Sequence, residues 1–169
     1  EHFFDGYKAA AEYAIKHGAN DLVLYGYSMG GAIISSFMIR SQLADRTSAL
    51  ILDSPMLDFE QTVDYGGKQR NLPGFITATA KWVAGWRFNI DWNGMDYLKD
   101  TSHISVPIFL IHGEDDDLVP IITSTTLAAE RKDIVTYLKL LRTPHGAGWN
   151  VHREQYEQSL RDFLGSVIK

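Results

Sequence analysis

The sequence predicts an α/β fold with a mostly parallel sheet flanked by helices, and three observations support this prediction. Short apolar segments with the length of buried strands alternate with segments of helical periodicity. The first three apolar segments lack polar alternation, which indicates a sheet covered on both faces. Polar side chains follow several of these segments. In a parallel sheet such side chains gather beyond the carboxyl ends of the strands.

The predicted elements follow one another along 169 residues, a length that is enough for one domain with one core. Apolar residues at helical spacing predict a first helix over residues 2–17, and a strand over 21–26 follows it. The further predicted elements are a helix over 30–43, a strand over 49–52, a strand over 106–111, a helix over 121–131, a strand over 134–141 and a helix over 151–168 with Asn150 as its N-cap.

Residues 56–100 interrupt this alternation. They are rich in glycine and aromatic residues, and their pattern predicts one helix at about 74–86 and loops elsewhere. We interpret them as an insertion into a single domain that covers residues 1–169. The tryptophans at 82, 86 and 92 either cover a substrate or pack onto the sheet, and the sequence leaves both interpretations open.

Composition excludes several classes of function. The net charge is −5 and the basic residues are scattered, so no stripe for nucleic acid is present. The chain has no cysteine, which excludes disulfides and thiolate chemistry. No apolar run has the length of a membrane span. A cytoplasmic location is the expectation, although the chain starts at Glu1 rather than Met, so a targeting segment could precede it.

The segment from Gly26 to Gly30 carries the most specific signal. It reads Gly-Tyr-Ser-Met-Gly between a predicted strand and a predicted helix, which is the context of a G-x-S-x-G nucleophile elbow. We expect Gly26 and Gly30 to leave room for a strained backbone at Ser28. The positive end of the following helix would point at the same place. The alternative is a glycine-rich turn that happens to contain a serine.

A serine hydroxyl needs a base to become a good nucleophile, and a carboxylate fixes the tautomer of an imidazole base. Carboxylates follow two predicted strands, in the run Glu114–Asp117 and at Asp53. Asp116 is the preferred acid, Asp53 is the second candidate, and Asp115 and Asp117 remain alternatives. The run could also be a solvated acidic loop.

The base is expected after the acid, because the order Ser, Asp, His is the order of the α/β-hydrolase type of site. His145 follows the fourth predicted strand in a loop of small residues and is the preferred base. His152, in the first turn of the last predicted helix, is the second candidate. His112 precedes the acidic run and is interpreted as a structural hydrogen-bonding residue.

Taken together, three segments resemble the α/β-hydrolase superfamily, in its esterase and serine-peptidase-like branch. The elbow continues with Gly31, which gives the frequent Ser-Met-Gly-Gly ending. His112-Gly113, Asp116 and Val119-Pro120 match the family's acid loop and assign the acid to Asp116. The third segment is the histidine loop, in which His145 lies four residues before Trp149-Asn150-Val151.

The resemblance implies a serine hydrolase that needs no cofactor and acts on a small-molecule acyl substrate through an acyl-enzyme. Ser28 would be the nucleophile, with the Met29 amide as the first oxyanion donor. His145 would be the base and Asp116 would orient it. The predicted strands would correspond to strands five to eight of the family, whose N-terminal strands are lacking here.

Three further expectations follow from the resemblance. Residues 56–100 lie where the family carries a cap over the active site. The strand near Leu22–Tyr25 would be an apolar edge that is prone to association. The second oxyanion donor comes from a loop after strand three, so the isolated chain is expected to be weak or inactive. The alternatives are a non-catalytic module that retains the fold, or an acyltransferase or peptidase with the same three residues.

Overall fold

The computed structural model describes residues 2–168, and a parallel sheet of four strands forms the centre of this part of the chain. The strands follow one another across the sheet in sequence order, and each neighbouring pair is parallel. The predicted fold class is therefore confirmed. The strands are β1 (Leu22–Tyr27), β2 (Thr47–Asp53), β3 (Ile108–Gly113) and β4 (Val135–Leu140).

Helices connect the strands, as a parallel sheet requires. The predicted helices over 2–17, 30–43 and 121–131 are confirmed with small differences at their ends. None of the helices within residues 2–168 combines the length and the apolar character that crossing a membrane requires. The helices are α1 (His2–Lys16), α2 (Met29–Arg40), α3 (Phe59–Gln69), α4 (Gly74–Phe88), α5 (Ile121–Glu130), α6 (Gly148–Val151) and α7 (Arg153–Val167), with 3-10 turns at Gln42–Arg46 and Asn93–Met95.

Alternate residues of the strands build two apolar layers, one on each face of the sheet. On one face Leu50 and Leu52 pack with side chains of α1, α2 and α5, of which Phe37 is fully buried. On the other face Phe109 packs against α7, where its ring stacks on that of Phe163 at 5.4 Å between centroids. Burying side chains on both faces explains why most of β2 and all of β3 before His112 read as apolar runs.

The expectation of loops before residue 74 is wrong, because α3 occupies residues 59–69. The Asp58 side chain caps this helix by accepting a hydrogen bond of 2.9 Å from the Gln61 amide. Glycine had indicated a loop here, but Gly67 lies inside the helix and lets α4 approach. A Cβ at Gly67 would lie 2.2 Å from Cγ2 of Thr77. The predicted helix at 74–86 is confirmed as α4.

The last predicted helix is broken in two. A short helix, α6, ends at Val151, and His152 has non-helical angles of φ −127° and ψ 51° before α7 begins at Arg153. Asn150 lies within α6, so the prediction that it caps the last helix is wrong. The break turns the chain so that α7 returns along the sheet while α6 stays beside the loop of His145.

The tryptophans of residues 56–100 do not pack onto the sheet. Trp82 and Trp86 are 71% and 77% exposed on α4. Trp92 stacks on Phe59 with ring centroids 5.8 Å apart, and its indole nitrogen donates to the Lys81 carbonyl at 3.2 Å. The helices α3 and α4 therefore form a unit, named here the α3–α4 pair, that lies between β2 and β3 in sequence.

β1 is an edge strand of the sheet within the described residues, and it pairs with β2. Two of its aromatic side chains, Tyr25 and Tyr27, are 51% and 45% exposed. Exposed strand edges carry unpaired backbone groups, which is the physical basis for association through such an edge. Association through this strand stays a prediction.

Candidate active site

Ser28 lies in the tight turn between β1 and α2 with φ 51° and ψ −117°. Such a positive φ is uncommon for a residue other than glycine and persists only where its surroundings hold it. Backbone hydrogen bonds supply that support: the Ser28 amide donates to the Asp53 carbonyl at 2.9 Å, and the Ser28 carbonyl accepts from Gly31 and Met56 at 3.0 Å each. The turn places the hydroxyl at the carboxyl end of the sheet.

The turn is crowded at two glycines. A Cβ at Gly26 would lie 2.7 Å from both the Gly30 carbonyl oxygen and Cδ1 of Ile34, and one at Gly31 would lie 2.4 Å from Cβ of Pro55. The expectation that Gly30 provides room is wrong, because a Cβ there would meet no atom within 4 Å beyond its chain neighbours and the backbone of its own helix. Glycine is needed where α2 passes β1 and where it meets the segment after β2.

The carboxylate of Asp116 is buried and accepts four hydrogen bonds. Its Oδ1 accepts from the amides of Leu118 and Val119 at 3.0 and 2.8 Å, while Oδ2 accepts from His145 Nδ1 at 2.7 Å and His112 Nε2 at 3.1 Å. Burial raises the pKa of the Asp116 carboxyl, but these hydrogen bonds outweigh burial and hold the pKa well below its usual range. The group is therefore ionised at neutral pH.

His145 bridges the acid and the serine. Its Nδ1 faces the Asp116 carboxylate at 2.7 Å, and its Nε2 lies 3.0 Å from Ser28 Oγ. A carboxylate only accepts hydrogen bonds, so Nδ1 carries the proton and Nε2 accepts from the Ser28 hydroxyl. This is the tautomer that a general base requires.

The loop of His145 depends on the next residue, Gly146. Its φ is +59°, and a Cβ there would lie 2.1 Å from the Tyr27 ring. The Tyr27 ring also lies beside the imidazole of His145, with centroids 5.3 Å apart. Glycine thus allows the loop to fold tightly over β1, which brings the imidazole to the elbow.

Asp53, the second candidate acid, belongs to a separate buried network. Its Oδ2 accepts hydrogen bonds from the hydroxyls of Tyr156 at 2.8 Å and Tyr25 at 3.5 Å. Burial raises the pKa of the Asp53 carboxyl, and the hydrogen bonds from Tyr156 and Ser54 oppose that effect only in part. The acid that faces the His145 ring at hydrogen-bond distance is Asp116.

Ser54 is a residue that the sequence reasoning missed. It has φ 47°, and its Oγ accepts a 3.3 Å hydrogen bond from the Gly146 amide while donating to Asp53 Oδ1 at 3.4 Å. Ser54 therefore connects the end of β2 to the loop of His145. Its position directly after a predicted strand, beside Pro55, was the available signal.

The remaining candidates lie apart from Ser28. His112 is fully buried, donates through Nε2 towards the Val119 carbonyl at 3.2 Å and the Asp116 carboxylate, and accepts from Ser124 at 2.7 Å. His152 donates to the Leu141 carbonyl at 2.9 Å. Asp115 and Asp117 are exposed. Within residues 2–168 no group of three or more His, Asp or Glu side chains has a metal-binding arrangement.

A pocket of about 520 Å³ opens beside Ser28 and His145. The α3–α4 pair forms much of its wall, through residues such as Phe59, Val63 and Ile76. This volume falls within the range of about 300–1,000 Å³ that is typical of small-molecule sites. Ser28, His145 and a mostly apolar pocket thus meet at the carboxyl end of the sheet.

The family follows from comparison with known proteins. The model of the prolyl oligopeptidase family matches residues 1–169. The chain belongs to the prolyl oligopeptidase family. Together with the family match, the likeness of its sheet and flanking helices to solved α/β-hydrolase structures confirms the predicted superfamily. The chain therefore has the α/β-hydrolase fold.

Among curated proteins, this family member is similar to the lysophosphatidylserine lipase ABHD12 of Macaca fascicularis. The two are 30% identical over 129 residues, which cover 70% of this chain and 28% of the relative. The corresponding lipase of Xenopus tropicalis is 27% identical over 184 residues. This match covers 98% of this chain and 43% of that lipase. The chain thus spans less than half the length of these relatives.

Among solved structures, an esterase of Pyrococcus furiosus superposes with a TM-score of 0.74 at 20% identity, covering 98% of this chain and 62% of that one. An acylaminoacyl peptidase of Pyrococcus horikoshii gives the same TM-score at 15% identity, covering 99% of this chain and 27% of that one. At these identities the likeness establishes a shared fold.

Proposed function

We propose that the protein is a serine hydrolase that cleaves carboxylic esters or related acyl bonds through an acyl-enzyme. The observation that carries the proposal is the unbroken row of hydrogen bonds from Ser28 to His145 at 3.0 Å and from His145 to Asp116 at 2.7 Å. A hydroxyl, an imidazole and a carboxylate in this order form the arrangement that activates a serine nucleophile.

In the first step Ser28 Oγ attacks the substrate carbonyl and its proton passes to His145 Nε2. The imidazolium is stabilised by the Asp116 carboxylate, which keeps its negative charge because its pKa is low. His145 then gives the proton to the leaving group, which departs and leaves an ester on Ser28. In the second step His145 takes a proton from water, and the resulting hydroxide attacks the ester carbonyl. The bond between the acyl carbon and Ser28 Oγ then breaks, His145 returns the proton to Ser28, and the acid product leaves.

The oxyanion of each step would lie at the N-terminus of α2, where Met29 is the first helical residue. Amides in the first turn of a helix have no partner within the helix, and the helix dipole favours a negative charge there. Met29 would supply one donor. In the superfamily a loop after strand three supplies the second donor. Losing one donor typically costs about 10²–10³ in turnover.

The α3–α4 pair would act as a cap over the site. It lines the pocket beside Ser28 with apolar side chains and is tied to the acid loop, where the Tyr65 hydroxyl donates to the Asp116 carbonyl at 2.8 Å. An apolar wall favours acyl chains and aromatic groups and excludes water. The names of the relatives, a lysophosphatidylserine lipase and an esterase, agree with an acyl ester as substrate.

A peptidase is the second candidate, and the family match favours it, since the family is that of prolyl oligopeptidase. The same serine, histidine and aspartate serve both reactions. Rates of hydrolysis of an ester and an anilide that carry the same acyl group would distinguish an esterase from a peptidase. Hydrolysis of the ester alone supports the first, and efficient cleavage of the anilide supports the second.

The proposal is tested with a fluorophosphonate probe and a panel of p-nitrophenyl esters of varied chain length on the full-length protein. We expect labelling at Ser28, and Ser28→Ala should abolish it and lower ester turnover by about 10⁴-fold or more. Ser105→Ala is the matched control, because Ser105 is exposed and precedes β3 at the opposite end of the sheet. Folded wild-type protein that neither reacts with the probe nor turns over esters would indicate a non-catalytic module.

A further inference from the structure

We propose that the substrate carries an anionic group and that the guanidinium of Arg70 binds it. This inference deepens the proposed hydrolase function and rests on it. Among the described residues that line the pocket beside Ser28, Arg70 alone carries a permanent charge, and none is Asp or Glu. The chain as a whole has a net charge of −5, so this distribution runs against the overall balance.

The position of Arg70 follows from the faces of α3. Pocket-lining residues recur along this helix at intervals of three and four, from Phe59 through Val63 and Gly66 to Arg70. This is the periodicity of one helix face. Arg70 closes α3 as its C-cap and therefore stands at the end of the pocket-facing stripe.

The acidic residues of α3 face elsewhere. Glu60 and Asp64 lie one helical turn apart, and both accept from Lys81 of α4, at 2.8 and 2.7 Å. Lys81 therefore holds both carboxylates outside the pocket and compensates one of their two charges. An anion that enters the pocket would meet Arg70 without an intervening carboxylate.

The guanidinium of Arg70 uses one of its N–H donors in a side-chain hydrogen bond to another described residue. Its Nη1 donates to the Gly66 carbonyl at 2.9 Å, which orients the guanidinium, and within residues 2–168 no carboxylate forms an ion pair with it. A guanidinium has five N–H donors in a planar fork that matches carboxylate and phosphate groups. A cation also stabilises the C-terminus of a helix, which explains the bond to Gly66. Capping the helix uses only the Nη1 donor and leaves the other guanidinium N–H groups without a partner among the described residues. It also does not explain why Arg70 lines the pocket.

The geometry also sets where the anion lies on the substrate. Ser28 and Arg70 line the same pocket, and most of the residues that line it with them are apolar, such as Val63, Leu72 and Ile76. A scissile carbonyl at Ser28 and an anion at Arg70 would thus be separated by an apolar segment of the substrate. The substrate class is an amphiphilic acyl ester with a remote carboxylate or phosphate.

The test compares p-nitrophenyl esters of acyl chains that end in a carboxylate with esters of equal length that end in a neutral carboxamide, on the full-length protein. A parallel series ending in a phosphonate distinguishes the two kinds of anion. We expect the wild type to prefer the anionic series at one chain length. Arg70→Gln should lower the ratio of kcat/KM for anionic over neutral esters by about tenfold, through KM, because one charge-assisted contact is lost.

Lys68→Gln is the matched control, because Lys68 is an exposed cation of the same helix and does not line the pocket. The ratio should be unchanged in this variant and intermediate in Arg70→Lys. In the wild type the ratio should also fall with rising salt, a readout that does not depend on the folding of any variant. The inference is overturned if the ratio of kcat/KM for anionic over neutral esters changes neither with salt nor in Arg70→Gln. It is also overturned if this ratio falls equally in Lys68→Gln.

The outcomes distinguish a failure of the proposed role of Arg70 from a failure of the proposed hydrolase function. If neutral esters are hydrolysed through Ser28 while the ratio does not respond to Arg70→Gln, the proposed function stands and the role of Arg70 fails. If Ser28→Ala leaves ester hydrolysis intact, both fail. A loss of stability in Arg70→Gln without a change in the ratio would assign Arg70 to helix capping alone.

Discussion

The hydroxyl of Tyr65 in α3 donates a 2.8 Å hydrogen bond to the backbone carbonyl of Asp116. The carboxylate of the same aspartate accepts from His145 Nδ1 at 2.7 Å. One residue of the acid loop therefore contacts both the α3–α4 pair and the imidazole. A displacement of α3 would act directly on the loop that orients His145.

Tyr65→Phe removes this hydrogen bond and keeps the ring. We expect the free energy of unfolding to fall by about 0.5–1.5 kcal/mol, the usual contribution of one such bond. Turnover of esters should fall as well, because the acid loop loses a fixed contact. Tyr13→Phe is the control, since Tyr13 is exposed on α1 and stacks on His17 far along the sequence from the acid loop. If both variants behave alike in urea denaturation and in ester kinetics, Tyr65 does not couple the two parts.

The two candidate bases make opposite predictions. His145→Gln removes the ring that contacts Ser28 at 3.0 Å, so ester turnover should fall by about 10⁴-fold or more while the fold is retained. His152→Gln removes a ring that donates to the Leu141 carbonyl, so turnover should change little. Steady-state kinetics of both variants, with circular dichroism to verify folding, decides between them. The reverse order of effects would make His152 the base.

Asp53→Asn should change how stability depends on pH. Burial raises the pKa of the Asp53 carboxyl above its ordinary value of 3.8, so the folded protein holds this proton to higher pH than the unfolded chain. The resulting stabilisation is complete below the ordinary value and is lost as pH rises through the folded pKa. Relative to the wild type, Asp53→Asn should therefore become more stable as pH rises from that value towards neutrality.

Urea denaturation at a series of pH values measures this difference. Asp117→Asn is the control, because Asp117 is exposed and lies outside the buried network of Asp53. Its difference from the wild type should stay level over the same range. A constant difference for Asp53→Asn as well would mean that burial does not disfavour the charge of Asp53.

Gly67→Ala tests the contact between α3 and α4. A methyl group there would meet Cγ2 of Thr77 at 2.2 Å, and overpacking of this kind costs about 1–3 kcal/mol. Thr77→Ser in the same chain removes Cγ2 and keeps the hydroxyl that donates to the Gly74 carbonyl at 2.9 Å. The double variant should therefore recover most of the lost stability.

Gly165→Ala provides the comparison for that experiment, because Gly165 lies in α7 with no atom within 4 Å of an added Cβ. Alanine favours a helix, so this variant should gain about 0.5–1 kcal/mol. Thermal unfolding of all four proteins measures the effects. A gain in Gly67→Ala equal to that in Gly165→Ala would show that Thr77 gives way without cost.

Local patterns predicted the sheet, whereas contacts between distant residues remained hidden. The strands were predictable because each is a short, mainly apolar run, which in β2 and β3 is buried on both faces. The elbow was predictable because strand, turn and helix are adjacent in sequence. α3 was missed because a glycine at position 67 locally indicates a loop. Glycine is present there because Thr77 of α4 packs closely against it. Tyr65 and Ser54 act through bonds to residues 51 and 92 positions away, which no periodicity reveals. The catalytic roles of Ser28, His145 and Asp116 stay predictions.

The tryptophans give this molecule an uneven set of optical reporters. Of the four in the chain, Trp82, Trp86 and Trp92 belong to the insertion and Trp149 to α6, so none lies in a strand. Trp92, stacked on Phe59, is the one placed to sense separation of α3 from its surroundings. Fluorescence that changes before the far-ultraviolet dichroism during denaturation would therefore record the wall of the pocket opening while the sheet is still intact.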